Sequence, residues 1–188
     1  MGRSDEFGIN KTRSLPEFLV IGAQKCGTTW LYQMTKQHPE IFVPKCKEVH
    51  FFNKTKNYKK GVEYYKSFFE ERTREKISGE ATPNYFWTSN NQKTYYERTS
   101  KIPALVKNTC PEAKLILTLR NPIERAISAY YKHIRQGRIS PNKKISDVLN
   151  LYGILSMGYY DLHFQRWLEH FPRDQFLVLI LEEDIALG

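Results

Sequence analysis

Residues 18–30, which read FLVIGAQKCGTTW, restrict the fold more than any other stretch of the chain. An apolar run suited to a buried strand passes into a short loop carrying Gly22, Lys25 and Gly27, and helical spacing follows from Thr28. A helix that opens directly after such a loop has unpaired N–H groups and the positive end of its dipole there, a ready anion site. Gly22 and Gly27 keep the G-x-x-x-x-G spacing of a nucleotide P-loop. Thr28 stands where a P-loop NTPase has its lysine, and Lys25 lies inside the loop instead. The loop suits a phosphate-like group, gripped in a different way from ATP in an ATPase.

Four apolar runs, 18–21, a weaker 77–81, 115–119 and 176–181, predict buried parallel strands. Helical spacing predicts helices over 28–37, 58–69, 102–107, 122–136 and 158–171. In 58–69 the residues Val62, Tyr65, Phe68 and Phe69 share one face, and in 158–171 Tyr160, Phe164, Trp167, Leu168 and Phe171 do. This alternation predicts an α/β fold, three-layered and P-loop-like, with a mostly parallel central sheet flanked by helices. Such sheets bind ligands beyond the carboxyl ends of their strands, where the Gly22–Thr29 loop falls. One domain is expected over 17–188, after a flexible arm at 1–16. Residues 87–100 are expected to form a loop, and the ending at Gly188, soon after a strand, reads as a truncation.

The chain has 29 Lys and Arg against 20 Asp and Glu, a net charge of +9 that favours anionic partners. The excess is spread through 45–66, 101–114 and 120–144, as a field around a cleft rather than a nucleic-acid arm. Its aromatics fall at helical core spacing, so no nucleic-acid partner is expected. Cys26, Cys46 and Cys110 are scattered without C-x-x-C spacing, which indicates neither a disulfide framework nor a zinc site. No apolar stretch approaches the ~20 residues needed to span a bilayer, and no signal-peptide core is present. Cytoplasmic is the default expectation, with a membrane-anchored parent left open.

A second anion site is predicted where the strand at 115–119 ends in Arg120 and Asn121-Pro122 opens a helix bearing Ser128. A nucleoside triphosphatase would want an aspartate there for magnesium, whereas an arginine grips a phosphate bidentately. Ser128 lies about two helical turns on, so both reach one phosphate only if it lies along the helix. An ordinary surface arginine and helix-face serine are the alternative.

Taken together, these motifs resemble those of the sulfotransferases that use 3′-phosphoadenosine 5′-phosphosulfate (PAPS), closest to the heparan-sulfate-type, bacterial-like branch. Residues 24–30 resemble the 5′-phosphosulfate loop, and 120–130 (RNPIERAISAY) are similar to the 3′-phosphate motif. Residues 47–52 (KEVHFF) resemble the acidic motif in which the glutamate, here Glu48, is the proposed base. Residues 79–86 (GEATPNYF) and 158–168 continue the likeness in the right order.

The resemblance implies transfer of a sulfuryl group from PAPS to a hydroxyl or amine of a carbohydrate or small alcohol, leaving adenosine 3′,5′-bisphosphate and requiring no metal. It implies that Lys25, Cys26, Gly27, Thr28, Thr29 and Trp30 hold the 5′ and base end of the nucleotide, and that Arg120 and Ser128 hold the 3′-phosphate. Lys25 would stabilise the departing oxygen, and Glu48, with its pKa raised toward neutrality, would take the acceptor proton, or else form an ordinary surface ion pair among Lys45 and Lys47. His50, on the same face of an extended segment, would orient Glu48 or contact the acceptor, or else be a core histidine. Tyr159 and Tyr160 would join Glu48 and His50 around the acceptor, or pack in the core. In two places the chain departs from the branch. Ala81 stands where a lysine is general, and nothing matches the basic, glycine-containing loop that covers the adenine. A P-loop kinase or NTPase, favoured by the Gly22/Gly27 spacing, and a non-catalytic polyanion-binding module remain as alternatives.

Overall fold

A computed structural model describes residues 14–88 and 99–185 of the protein. Its centre is a five-stranded, all-parallel sheet of β1 (Phe18–Gly22), β2 (Ile41–Phe42), β3 (Ile77–Ala81), β4 (Lys114–Leu119) and β5 (Phe176–Ile180). The order is β2-β3-β1-β4-β5, so β1 is central. Phe18 stands opposite Gly79 on one side and Lys114 on the other, and Leu115 opposite Phe176.

Alternation along the strands divides the core between two faces. Leu19, Ile21, Leu115 and Leu117 face a large cluster with Tyr65, Phe69, Ile102, Val106, Trp167 and Phe171. These come from α3 (Gly61–Lys66) and the turn after it, α4 (Ile102–Thr109), and α6 (Tyr160–Leu168) with the turn after it. Phe18, Val20 and Ile116 face the other way, against Leu31 and Tyr32 of α1 (Thr28–Gln37). β1 and β4 are therefore covered on both faces, which is why they read as unbroken apolar runs. The remaining long helix, α5 (Pro122–Arg135), buries Ala126 and Ala129 against Ile139, Val148 and Ile154.

The helix predicted over 58–69 is broken. α2 (Thr55–Tyr58) ends before Gly61, whose φ of +83° begins α3, and Ser67–Phe69 is a 3₁₀ turn. Val62, expected on the buried face, is 39% exposed, while Tyr65 and Phe69 are buried. Leu168, expected on the buried face of α6, is likewise 39% exposed. The two-residue β2 was too short to register as an apolar run. Trp87 and Thr88, from the expected loop, are buried, while 89–98 lie outside the described residues. Of the expected arm, residues 1–13 lie outside the described residues, Leu15 packs against the core, and Pro16 is buried.

Candidate active site

At the carboxyl edge of the sheet, β1, β3 and β4 are tied together. The Ala23 N–H donates to the Thr118 carbonyl (2.7 Å), Thr118 Oγ1 to the Gly22 carbonyl (3.1 Å) and the Thr82 N–H to the Val20 carbonyl (3.1 Å). Gly22 is required here by close approach, since a Cβ would stand 2.5 Å from Phe86 Cβ and 3.0 Å from the Pro83 oxygen. Gly27 caps α1 at φ 81°, a conformation natural to glycine. Lys25 adopts φ 72° without that freedom, a cost of about 1–2 kcal/mol. The first hydrogen bond into α1 runs from the Leu31 N–H to the Gly27 carbonyl (3.1 Å). The helix has neither a side-chain cap nor an acidic residue in its first turn. Its leading N–H groups are thus left for an anion. α5 differs: Asn121 Oδ1 accepts from the N–H groups of Ile123 (3.0 Å) and Glu124 (3.3 Å), so any anion there is held by side chains.

The two strand ends meet in one cleft of about 440 Å³. Lys25, Gly27, Thr28 and Thr29 line one wall, and Arg120, Ser128 and Lys132 another. Lys47, Glu48 and Pro83 lie between them, with Gln24 and Leu181 completing the lining. Half-burial, together with the charges of Arg135 and Arg120, pushes the Lys25 ammonium pKa down. Arg120 Nη2 lies 3.4 Å from Glu124 and its Nε 3.9 Å from Glu182, and that Nε is buried without a hydrogen bond among the described residues.

Other predicted residues lie behind or beside this cleft. Cys26 is buried, with Sγ 3.5 Å from Tyr160 Oη, and that hydroxyl donates to the Arg120 carbonyl (2.9 Å). Tyr160 therefore braces the loops after β1 and β4 against each other. Trp30 and Tyr159 are 44% and 45% exposed, on α1 and at the start of α6.

The segment bearing Glu48 is not extended. Glu48 (φ 67°) and His50 (φ 56°) are both left-handed, and the resulting turn brings His50 Nε2 within 3.3 Å of Glu48 Oε2. Lys47 Nζ donates to Glu48 Oε1 at 2.7 Å. The Asn53 amide lies 3.2 Å from His50 Nδ1, and when its N–H donates there the ring proton sits on Nε2, facing Glu48. β3 pins the turn. The Glu48 N–H donates to the Ala81 carbonyl (3.1 Å) and the His50 N–H to Thr82 Oγ1 (3.4 Å). Beneath it the buried Glu80 accepts from Tyr65 (2.8 Å), Tyr85 (3.0 Å) and Thr82 (2.6 Å), and Tyr85 Oη accepts from the Phe51 N–H (2.9 Å).

This geometry corrects the expectation of a near-neutral Glu48. Burial pushes its carboxyl up, but the hydrogen bonds from His50 and Lys47 and their charges outweigh it and hold the pKa at about 2. Because the folded value lies below the ordinary 4.5, these contacts stabilise the fold above that pH, and the contribution is lost as pH falls through about 2. If Glu48 takes the acceptor proton, the acid limb of kcat/KM for the donor, which reports the protein before the donor binds, is accordingly expected below pH ~4. In Lys47→Met that limb moves upward, because one hydrogen bond and one charge are lost. An acid limb near pH 6 in the unsubstituted protein would contradict the Lys47–Glu48–His50 arrangement. Sequence reasoning gave no site role to Gln24, Lys47, Glu80 or Lys132. For Lys132 a signal existed, since it is i+4 from Ser128 on one helix face.

An uncapped helix after a glycine loop and a second, arginine-bearing strand end, opening on one cleft of a parallel sheet, define an α/β protein of P-loop-like fold. The chain belongs to the sulfotransferase family, whose sulfotransferase domain matches residues 15–184. It is 30% identical over 179 residues to heparan sulfate glucosamine 3-O-sulfotransferase 5 of Mus musculus, covering 89% of this chain and 48% of that one. It is 41% identical over 128 residues to the membrane-associated sulfotransferase kil1 of Dictyostelium discoideum, covering 66% of this chain and 24% of that one. The chain thus spans about half the length, or less, of these curated relatives. Among solved structures, a sulfotransferase from Alicyclobacillus acidocaldarius superposes with a TM-score of 0.75 at 26% identity, over 90% of this chain and 74% of that one. Among the described residues no helix is long and apolar enough to cross a membrane.

Proposed function

We propose that the protein transfers a sulfuryl group from PAPS to a hydroxyl or amine of a carbohydrate or small alcohol. The observation that carries this reading is the single cleft shared by Lys25, Arg120, Ser128 and Glu48. Family membership supports the reaction class, and relatives named for heparan sulfate support a carbohydrate acceptor. The residues present fit the donor. The open N-terminus of α1 and Lys25 suit its 5′ end, and the Arg120 guanidinium, with a buried Nε still to satisfy, suits its 3′-phosphate.

When bound, PAPS supplies the sulfuryl group and departs as adenosine 3′,5′-bisphosphate. Lys25 and the N–H groups of Thr28 and Thr29 face the position where negative charge grows on the departing oxygen, and they lower the barrier by being in place beforehand. Glu48, ionised and oriented by His50, accepts the proton of the attacking hydroxyl or amine. In the free protein Lys47 suppresses the basicity of that carboxylate. An incoming anion competes for Lys47, which also lines the cleft, and so strengthens the base as the donor arrives.

Arg120→Ala is expected to weaken binding of adenosine 3′,5′-bisphosphate by roughly 10- to 150-fold, the loss of one charge-assisted contact of 1.5–3 kcal/mol. Calorimetric titration of both proteins, each checked for an unchanged melting temperature, measures it. Equal affinities would remove Arg120 from the donor site. Magnesium-dependent ATP hydrolysis, with no bisphosphate binding, would replace the reading with that of an NTPase.

A further inference from the structure

Two half-buried ammonium groups face the cleft without a hydrogen bond or ion pair of their own among the described residues, Lys25 and Lys132. Lys47 is tied to Glu48, and Arg120 to Glu124. Lys132 stands one turn beyond Ser128 on the same face of α5, so the helix presents both to the cleft. Apart from burial, the charge it feels most is Glu48, which attracts it, followed by Lys25, Arg138 and Lys47, which repel it. Holding an unpaired, half-buried cation against three like charges is unfavourable, and an anion placed among them removes the penalty.

The position of that anion follows from the neighbours. In the proposed reaction Lys25 attends the oxygen that departs and Glu48 the oxygen that attacks, and the group between those two oxygens is the sulfuryl. Lys132 lines the cleft together with both residues, close enough to be influenced by their charges. Arg120 and Ser128, toward the start of α5, are left for the 3′-phosphate.

We propose that Lys132 is a catalytic residue that holds the terminal oxygens of the sulfuryl group during its transfer, an assignment that rests on the sulfotransferase reading. The bond from sulfur to the 5′-phosphate oxygen breaks, a bond from sulfur to the acceptor oxygen or nitrogen forms, and the acceptor proton passes to Glu48. Lys132 keeps its proton throughout and contributes charge alone.

Binding separates this role from a general attraction for anions, because PAPS carries the sulfuryl group and the bisphosphate does not. In Lys132→Met, affinity for PAPS is expected to fall about 10- to 100-fold while affinity for adenosine 3′,5′-bisphosphate stays within about 2-fold, both by calorimetry. Lys132→Arg is expected to restore PAPS affinity to within about 3-fold of the unsubstituted protein. The melting temperature of Lys132→Met should be no lower than that of the unsubstituted protein, since a like-charge contact is removed. Lys132→Gln replaces it in the titrations if it does not fold. Equal losses for the two nucleotides, or no loss for either, overturn the assignment while leaving the donor reading intact. An unsubstituted protein that binds neither nucleotide overturns the donor reading, and the assignment with it.

Discussion

Replacing Glu48 by glutamine is expected to lower kcat by about 10²- to 10⁴-fold, the range contributed by a positioned general base. Affinity for adenosine 3′,5′-bisphosphate should not fall, because in the proposed reaction Glu48 attends the acceptor and its loss only frees Lys47 for the nucleotide. Glutamine keeps the shape of the side chain but cannot take a proton, and it weakens the hold on Lys47 and His50. Steady-state kinetics with radiolabelled PAPS and a panel of polysaccharide and small alcohol acceptors, together with a bisphosphate titration, measure both numbers. A variant that turns over at an unchanged rate would exclude Glu48 as the base. Losing nucleotide affinity in parallel would instead make it a structural support of the cleft.

Lys25→Met should behave differently. Removal of a group that stabilises charge at the departing oxygen lowers kcat by about 10²- to 10³-fold. Bisphosphate affinity should also fall, by roughly 10-fold or more, since in the proposed complex the same ammonium would meet the 5′-phosphate in the ground state. Methionine is preferred to glycine here, because glycine at a φ of 72° would relieve backbone strain and confuse the comparison. If Lys25→Met altered affinity alone and kcat stayed within about 2-fold, the lysine would be a phosphate tether and not a stabiliser of the departing oxygen. Glu48, Lys25 and Arg120 therefore divide into a kcat effect, a mixed effect and an affinity effect.

Much of the fold was legible because it is written in contiguous residues. Apolar runs bounded by Gly22, Arg120 and Pro172 mark three of the five strands, and Thr28 and Pro122 mark the helices that follow two of them. The errors have local causes of a subtler kind. Gly61 interrupts a helix whose apolar spacing continues through it, and β2 owes its existence to two backbone pairings with β3. In the site, the strand-to-helix junctions at Lys25 and Arg120 could be read, since each is a short motif with its own chemistry. The protonation of Glu48 could not, because its turn is fixed by Ala81 and Thr82 on β3 and, through Phe51, by Tyr85. Nor could Lys132, one of many lysines until the sheet sets α5 beside the β1 loop.

Residue order alone thus settled the parallel α/β layering and the two strand-to-helix junctions at Lys25 and Arg120, because helical period, strand apolarity and turn chemistry act over a few neighbouring residues. The folded chain decided that those junctions share one cleft, that Glu48 is held as a strongly acidic carboxylate, and that Lys132 lines the cleft with Glu48 and Lys25. Charge–charge energies depend on distance in space and on burial, and neither can be computed from separation along the chain.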